Sequence, residues 1–155
     1  MIKVLFICHG NICRSPMAEF VMKDLVKKQG LEDEFYIASA ATSTEEIGNR
    51  VHPGTTKKLK EFGISTAGKT AVQLKKSDYK DYDYLLAMES YNLRNMKRII
   101  GSEDPEQKVY RLLDFSKAPR DIADPWYTGN FDATYNDIYE GCMALIEHLK
   151  NNQII

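Results

Sequence analysis

An α/β fold, with one doubly wound parallel sheet flanked by helices, is what this sequence predicts, on three observations. Short apolar runs rich in β-branched and aromatic residues alternate with segments that carry a helical repeat. The leading run is continuously apolar rather than alternating, which is the pattern of a strand covered on both faces. Breaker-rich polar stretches fall between these elements, where ligand-binding loops leave the carboxyl ends of parallel strands.

The elements follow in order. Residues 2–7, "IKVLFI", read as a first buried strand that ends at the loop "CHGNICRS". Pro16 opens a helix, since its missing N–H costs nothing in a first turn, and Met17, Phe20, Val21 and Leu25 recur at helical spacing up to a stop at Gly30. "EFYIASAA" reads as a second strand and "TSTEEIGNRVHPG" as a loop. "TTKKLKEFG" is a short helix closed by Gly63. Residues 82–88, "YDYLLAM", make a third strand, with the helix "ESYNLRNMKRII" behind it and a fourth strand in "KVYRLLDF". "SKAPRDIADPWYTGN" reads as a long loop. The final segment places Tyr135, Ile138, Cys142, Leu145 and Leu149 on one stripe of an amphipathic helix.

The 155 residues suit a single domain spanning 1–155, with no repeat, linker or low-complexity stretch. Twenty-one Lys and Arg against 22 Asp and Glu leave a net charge of −1, so no bulk field draws the chain to nucleic acid or an anionic membrane. The apolar start is too short for a signal peptide or a membrane span, and three cysteines, an odd number, do not make a disulfide framework. A reducing cytoplasm is the expected compartment.

The first loop, "CHGNICRS", has the makings of an anion site. Backbone amides of residues 9 to 14 form an anion-binding concavity if they curl inward, and the helix start beyond them adds partial positive charge. Gly10 and Asn11 tolerate the positive φ such a curl needs, and Arg14 offers a planar fork for two phosphate oxygens. A sulfur at the base, Cys8, would be favoured as thiolate by the field that holds a phosphate dianion, with Ser15 in reach as a hydrogen-bond donor. Cys-x5-Arg-Ser is thus suited to phosphoryl transfer through a cysteinyl-phosphate. A zinc knuckle lacks a second ligand pair, and an ATP-type phosphate loop would need a glycine–lysine–serine ending. Among the acids of the long loop, Asp124 stands out: Pro125 holds it extended, and the neighbouring aromatics could partly desolvate it for general-acid duty.

"VLFICHGNICRSPMAE" resembles the signature of the low-molecular-weight protein tyrosine phosphatases, and "SAATSTEEIGN", "DYDYLLAMESYNLRNM" and "DIADPWY" continue the resemblance in order over most of the chain. The resemblance implies a four-stranded parallel sheet and hydrolysis of phosphotyrosine without metal or cofactor. Cys8 is implied as nucleophile, Arg14 as phosphate binder and Asp124 as general acid and base. His9, Gly10, Asn11, Ile12, Cys13, Arg14 and Ser15 form the phosphate loop, with Asn11 and Ser15 holding it and stabilising the thiolate. Glu45, Trp126 and Tyr127 fall at the substrate rim, and Cys13 is implied as a reversible disulfide partner that guards Cys8. Expected partners are phosphotyrosine proteins or small aryl phosphates, with inorganic phosphate as product and competitor. A monomer or weak dimer is expected.

Four positions depart from the family pattern. His9 and Glu45 stand where an apolar residue and an aromatic are common, Lys69 where a histidine braces the loop, and Val72 at an arginine position. Two other functions compete. Arsenate reduction shares the loop but needs two further relay cysteines, and only Cys142 lies outside the loop. A non-catalytic phosphotyrosine-binding or redox-sensing module would have no use for Asp124.

Overall fold

The computed structural model describes residues 1–155. Four strands, β1 (Ile2–Cys8), β2 (Phe35–Ala41), β3 (Tyr84–Ala87) and β4 (Val109–Arg111), form one all-parallel sheet in the order β2-β1-β3-β4. β1 pairs with β2 on one side, Ile2 opposite Phe35 through Cys8 opposite Ala41, and with β3 on the other. The chain therefore winds both ways from β1, and the crevice at its carboxyl end is the switch point where such sheets bind ligands.

Six helices cover the sheet: α1 (Arg14–Lys28), α2 (Pro53–Lys60), α3 (Asp78–Asp81), α4 (Ser90–Ile100), α5 (Pro125–Thr128) and α6 (Phe131–Asn151). Because side chains alternate along a strand, β1 serves two cores. Val4, Phe6 and Cys8 pack with Met17, Val21 and Met22 of α1 and with Ile138, Cys142, Leu145 and Leu149 of α6. Leu5 and Ile7 turn to the opposite face, against Leu85, Ala87 and the α4 residues Met96 and Ile100. From Val4 to Cys8 every position is apolar and buried, which is what this double coverage demands, while Lys3 near the strand start stays exposed. Cys8 emerges from the sheet on the α1 and α6 face.

Four details differ from the expectation. α1 starts two residues earlier, so Arg14 and Ser15 belong to its first turn and Pro16 sits where its missing N–H is still tolerated. α2 likewise starts early, at Pro53, capped by the His52 ring, whose Nδ1 accepts from Gly54 N at 3.0 Å. The fourth strand stops at Arg111. Leu112–Phe115 winds into a 3-10 turn that drops Leu112 and Leu113, both fully buried, into the core beside α6. Two single helical turns are the last difference: α3 lies ahead of the third strand, where no element was expected, and α5 interrupts the segment read as a long loop; each has only four residues, too few for a periodic signal.

Candidate active site

The loop between β1 and α1 is shaped by where its carbonyls go. Cys8 O accepts from Thr42 N (3.0 Å), His9 O from Ser43 N (3.0 Å), and Ile12 O from His52 N (2.8 Å). Cys13 O accepts from Met17 N (3.2 Å) and from Thr55 Oγ1 (3.3 Å). All peptides are trans, and across a planar trans peptide the carbonyl and the next N–H point opposite ways. Tying these carbonyls to the surrounding segments aims the amides of His9, Gly10, Cys13 and Arg14 at the other side. That side is a cavity of about 440 Å³ lined by the loop, by Glu45 and Glu46, and by Asp124, Trp126 and Tyr127.

Cys8, 3 % exposed, lies at the cavity base. Its Sγ is 3.0 Å from Ser15 Oγ and accepts from Asn11 N at 3.3 Å. Asn11 adopts φ 58°, the left-handed region that asparagine enters more readily than most residues. It is fully buried. Its Nδ2 donates to Ser15 Oγ (2.7 Å) and Ser39 Oγ (3.0 Å), while its Oδ1 accepts from Val72 N (3.1 Å). With one Ser15 lone pair occupied by Asn11, the hydroxyl proton is left for the sulfur. The Ser39 hydroxyl in turn donates to Glu19 Oε1 (2.6 Å). Glu19, a buried carboxylate, is compensated by Lys23 at 2.6 Å and Lys69 at 3.6 Å, and Lys69 Nζ also donates to Ser39 O at 2.9 Å. Burial holds the Lys69 ammonium below its ordinary pKa, offset in part by Glu19.

Arg14 is 2 % exposed, and its guanidinium lies under the opposite wall. Nη1 donates to the Glu89 carboxylate and to Ile122 O (2.8 Å), and Nη2 to Asp124 Oδ2 (3.3 Å). Asp124 caps α5 through Oδ1, which accepts from Trp126 N at 3.0 Å. Trp126 and Tyr127 are 58 % and 84 % exposed and form the outer wall. His52 meets Trp126 edge-on at 5.6 Å and stacks on Phe131 at 5.4 Å, so the residue that bonds Ile12 O also props this wall.

Cys13 lines the cavity too, but its thiol is pushed up to about 12, first by burial and then by Cys8 and Asp124, with Arg14 opposing. Cys142 is fully buried in the α6 core and burial pushes its thiol up as well. A larger groove, about 1000 Å³ between α2 and residues 63–70, contains none of these groups except the flank of Lys69.

Of the site residues expected from sequence, Cys8, His9, Gly10, Ile12, Cys13, Arg14, Glu45, Asp124, Trp126 and Tyr127 line one cavity. Asn11 and Ser15 do not; both are fully buried behind the loop and work from there. Lys69, read from sequence at a loop-bracing position, donates to Ser39 O behind the loop, whereas Glu46 on the rim, Glu89 under Arg14, and the Ser39–Glu19 pair that Lys69 joins were missed. Only Glu19 had a signal, a charged side chain one turn into the apolar face of α1.

The comparisons agree with this geometry. The family model described as low molecular weight phosphotyrosine protein phosphatase matches residues 3–154. The chain is 39 % identical over 155 residues to the low molecular weight protein-tyrosine-phosphatase YfkJ of Bacillus subtilis, covering 99 % of each. It is 35 % identical to PtpA of Staphylococcus epidermidis, covering 96 % of this chain and 94 % of that protein. The crystal structure of YfkJ superposes with a TM-score of 0.91 at 40 % identity, over 98 % of this chain and 96 % of that one. SP-PTP, the low molecular weight protein tyrosine phosphatase from Streptococcus pyogenes, gives 0.85 at 39 % identity, over 96 % and 93 %. With the match running essentially end to end, the chain belongs to the low molecular weight phosphotyrosine protein phosphatase family.

Proposed function

We propose that residues 1–155 act as one phosphatase domain that hydrolyses phosphotyrosine and small aryl phosphate monoesters through a phosphorylated Cys8. The observation that carries this is the convergence on one cavity of a sulfur held by Ser15 and Asn11, a loop with its amides turned inward, Arg14, and a carboxylate, Asp124.

The phosphate dianion seats against the loop amides and Arg14, beside Trp126 and Tyr127, which flank the aryl ring. The Cys8 thiolate attacks phosphorus; the P–S bond forms as the P–O bond to the phenol breaks, and Asp124 gives its proton to the departing oxygen. Water then attacks the phosphocysteine while Asp124 takes its proton. The P–S bond breaks, inorganic phosphate leaves, and the thiolate returns to its bond with Ser15. Charge building on the phosphoryl oxygens meets donors already in place, which is where most of the rate gain arises. Phosphate, as product, competes for the same cradle. Every group used lies on one chain, so the reaction needs no second copy. A reduced Cys8 suits a cytoplasmic setting.

Purified protein should hydrolyse an aryl phosphate in the presence of chelator, with Cys8→Ser inactive. Asp124→Ala should slow turnover most for leaving groups of high pKa. Full activity of Cys8→Ser would overturn the mechanism, and an equal effect on all leaving groups would remove Asp124 from the acid role. Cys142, sealed in the core, gives arsenate reduction no accessible relay thiol.

Cys13 is the redox guard in this proposal. Peroxide oxidises the Cys8 thiolate to sulfenic acid, and the Cys13 thiol condenses with it to a disulfide, releasing water, until a thiol reductant restores both. Cys13→Ser should lose that recovery after peroxide; unchanged recovery would leave Cys13 as loop packing only.

A further inference from the structure

The floor of the cavity is made for an anion, yet its rim is acidic. Glu45 and Glu46 form one side, and among the residues lining the cavity Arg14 is the one fixed cation, buried at the floor and held by Glu89 and Asp124. His9 Nε2 lies 2.5 Å from Glu45 Oε2, with the Glu45 side chain 68 % exposed. Glu46 is fixed by Asn49 Nδ2 (2.6 Å) and packs over the loop, since a Cβ on Gly10 would stand 3.4 Å from its Cγ. The facing wall, Trp126 and Tyr127, is aromatic and carries no basic side chain. Once a phosphate engages the floor, the unspent charge at the mouth is negative and sits on one side.

Building on the phosphotyrosine activity proposed above, we propose that Glu45 and Glu46 select phosphotyrosine peptides with lysine or arginine beside the phosphotyrosine and discriminate against those with acidic neighbours. A peptide bound through its phosphotyrosine must cross this rim. A neighbouring cation meets two carboxylates already oriented, one by His9 and one by Asn49, whereas a neighbouring acid meets like charge. Because the contact lies away from phosphorus, it is made equally in the bound state and the transition state, and the preference belongs in KM rather than kcat. Two exposed charge contacts of the usual strength correspond to a preference of about 2- to 30-fold in kcat/KM at low salt, shrinking as salt screens the rim.

The test uses two phosphotyrosine peptides of one length, flanked by lysine and arginine in one and by aspartate and glutamate in the other. Both are assayed with the full chain beside an aryl phosphate that has no flanks. The expected result is a severalfold lower KM for the basic peptide, with the basic-to-acidic ratio in kcat/KM falling toward one in Glu45→Gln/Glu46→Gln and at high salt. Taking the ratio within each enzyme cancels any general loss of activity in the variant. Turnover of the aryl phosphate with equal or reversed peptide preference would overturn the rim assignment and leave the phosphatase proposal standing. A ratio that survives in the double variant would overturn it too. No turnover of the aryl phosphate would overturn the phosphatase proposal itself.

Discussion

Replacing Asn11 tests the support behind the loop. The side chain donates to Ser15 and Ser39 and accepts from Val72 N, all from a fully buried position. At about 1 kcal/mol net per bond, Asn11→Ala forfeits roughly 3 kcal/mol. The backbone adds to this, since alanine at φ 58° carries a left-handed penalty of about 1 kcal/mol or more. For a chain of this size each kcal/mol moves Tm by roughly 2–4 °C, so a fall of about 8–16 °C is expected. Asn11→Gly loses the same bonds without the Cβ strain. It should melt no lower than Asn11→Ala, even allowing for the extra freedom glycine gives the unfolded chain. Turnover should fall in both, because Ser15 is no longer oriented toward the Cys8 sulfur; weakening the transition state by about 1.4 kcal/mol is already tenfold. Thermal melts paired with aryl phosphate kinetics measure both effects. An Asn11→Ala variant that melts within about 2 °C of the parent, against the shift expected from three lost bonds, would refute the bracing role.

Two further outcomes follow from the packing. Lys69 has its ammonium pKa held below the ordinary 10.5 by burial, so as pH rises the folded chain gives up this proton before the unfolded chain does. In the window between the lowered value and 10.5 the unfolded state binds more protons, and stability from this group rises with pH. Lys69→Met lacks that gain: the difference in urea midpoint, parent minus variant, should grow in the parent's favour from neutral pH toward pH ~10.5, and a flat difference would count against it. Gly141, inside α6, would place a Cβ 2.5 Å from Leu112 Cγ. Gly141→Ala gains about 1 kcal/mol of helix propensity but overpacks a sealed contact at about 1–3 kcal/mol. A lower Tm is expected, and a raised one would mean that Leu112 repacks freely.

The anion cradle is the part of this protein that the sequence determined by itself. Strand, loop and helix start are contiguous from Ile2 to Lys28, and the geometry they need is local: an apolar run, Gly10 and Asn11 for the curl, Pro16 in a first turn. The parallel sheet was legible too, because coverage on both faces forces strands to be apolar at consecutive positions. The last helix, 21 residues long, was legible because its apolar stripe repeats from Tyr135 to Leu149. Short elements were not. β4 gives way to a 3-10 turn after three residues, and Leu112 and Leu113 are as apolar as a strand would be; only the presence of α6 beside them decides the winding.

The surroundings of the cradle belong to tertiary structure. Arg14 meets Glu89 and Asp124 across 75 and 110 residues, Asn11 meets Ser39 across 28 and Val72 across 61, and His9 meets Glu45 across 36. No spacing rule encodes such pairs, because the separation is set by how many residues each crossover needs to return to the switch point. A charged residue in an amphipathic helix normally faces water; Glu19 faces Ser39 and Lys69 because β2 and the segment beyond α2 close over it. Local chemistry wrote the anion site, and the fold decided what braces it and what charge guards its mouth.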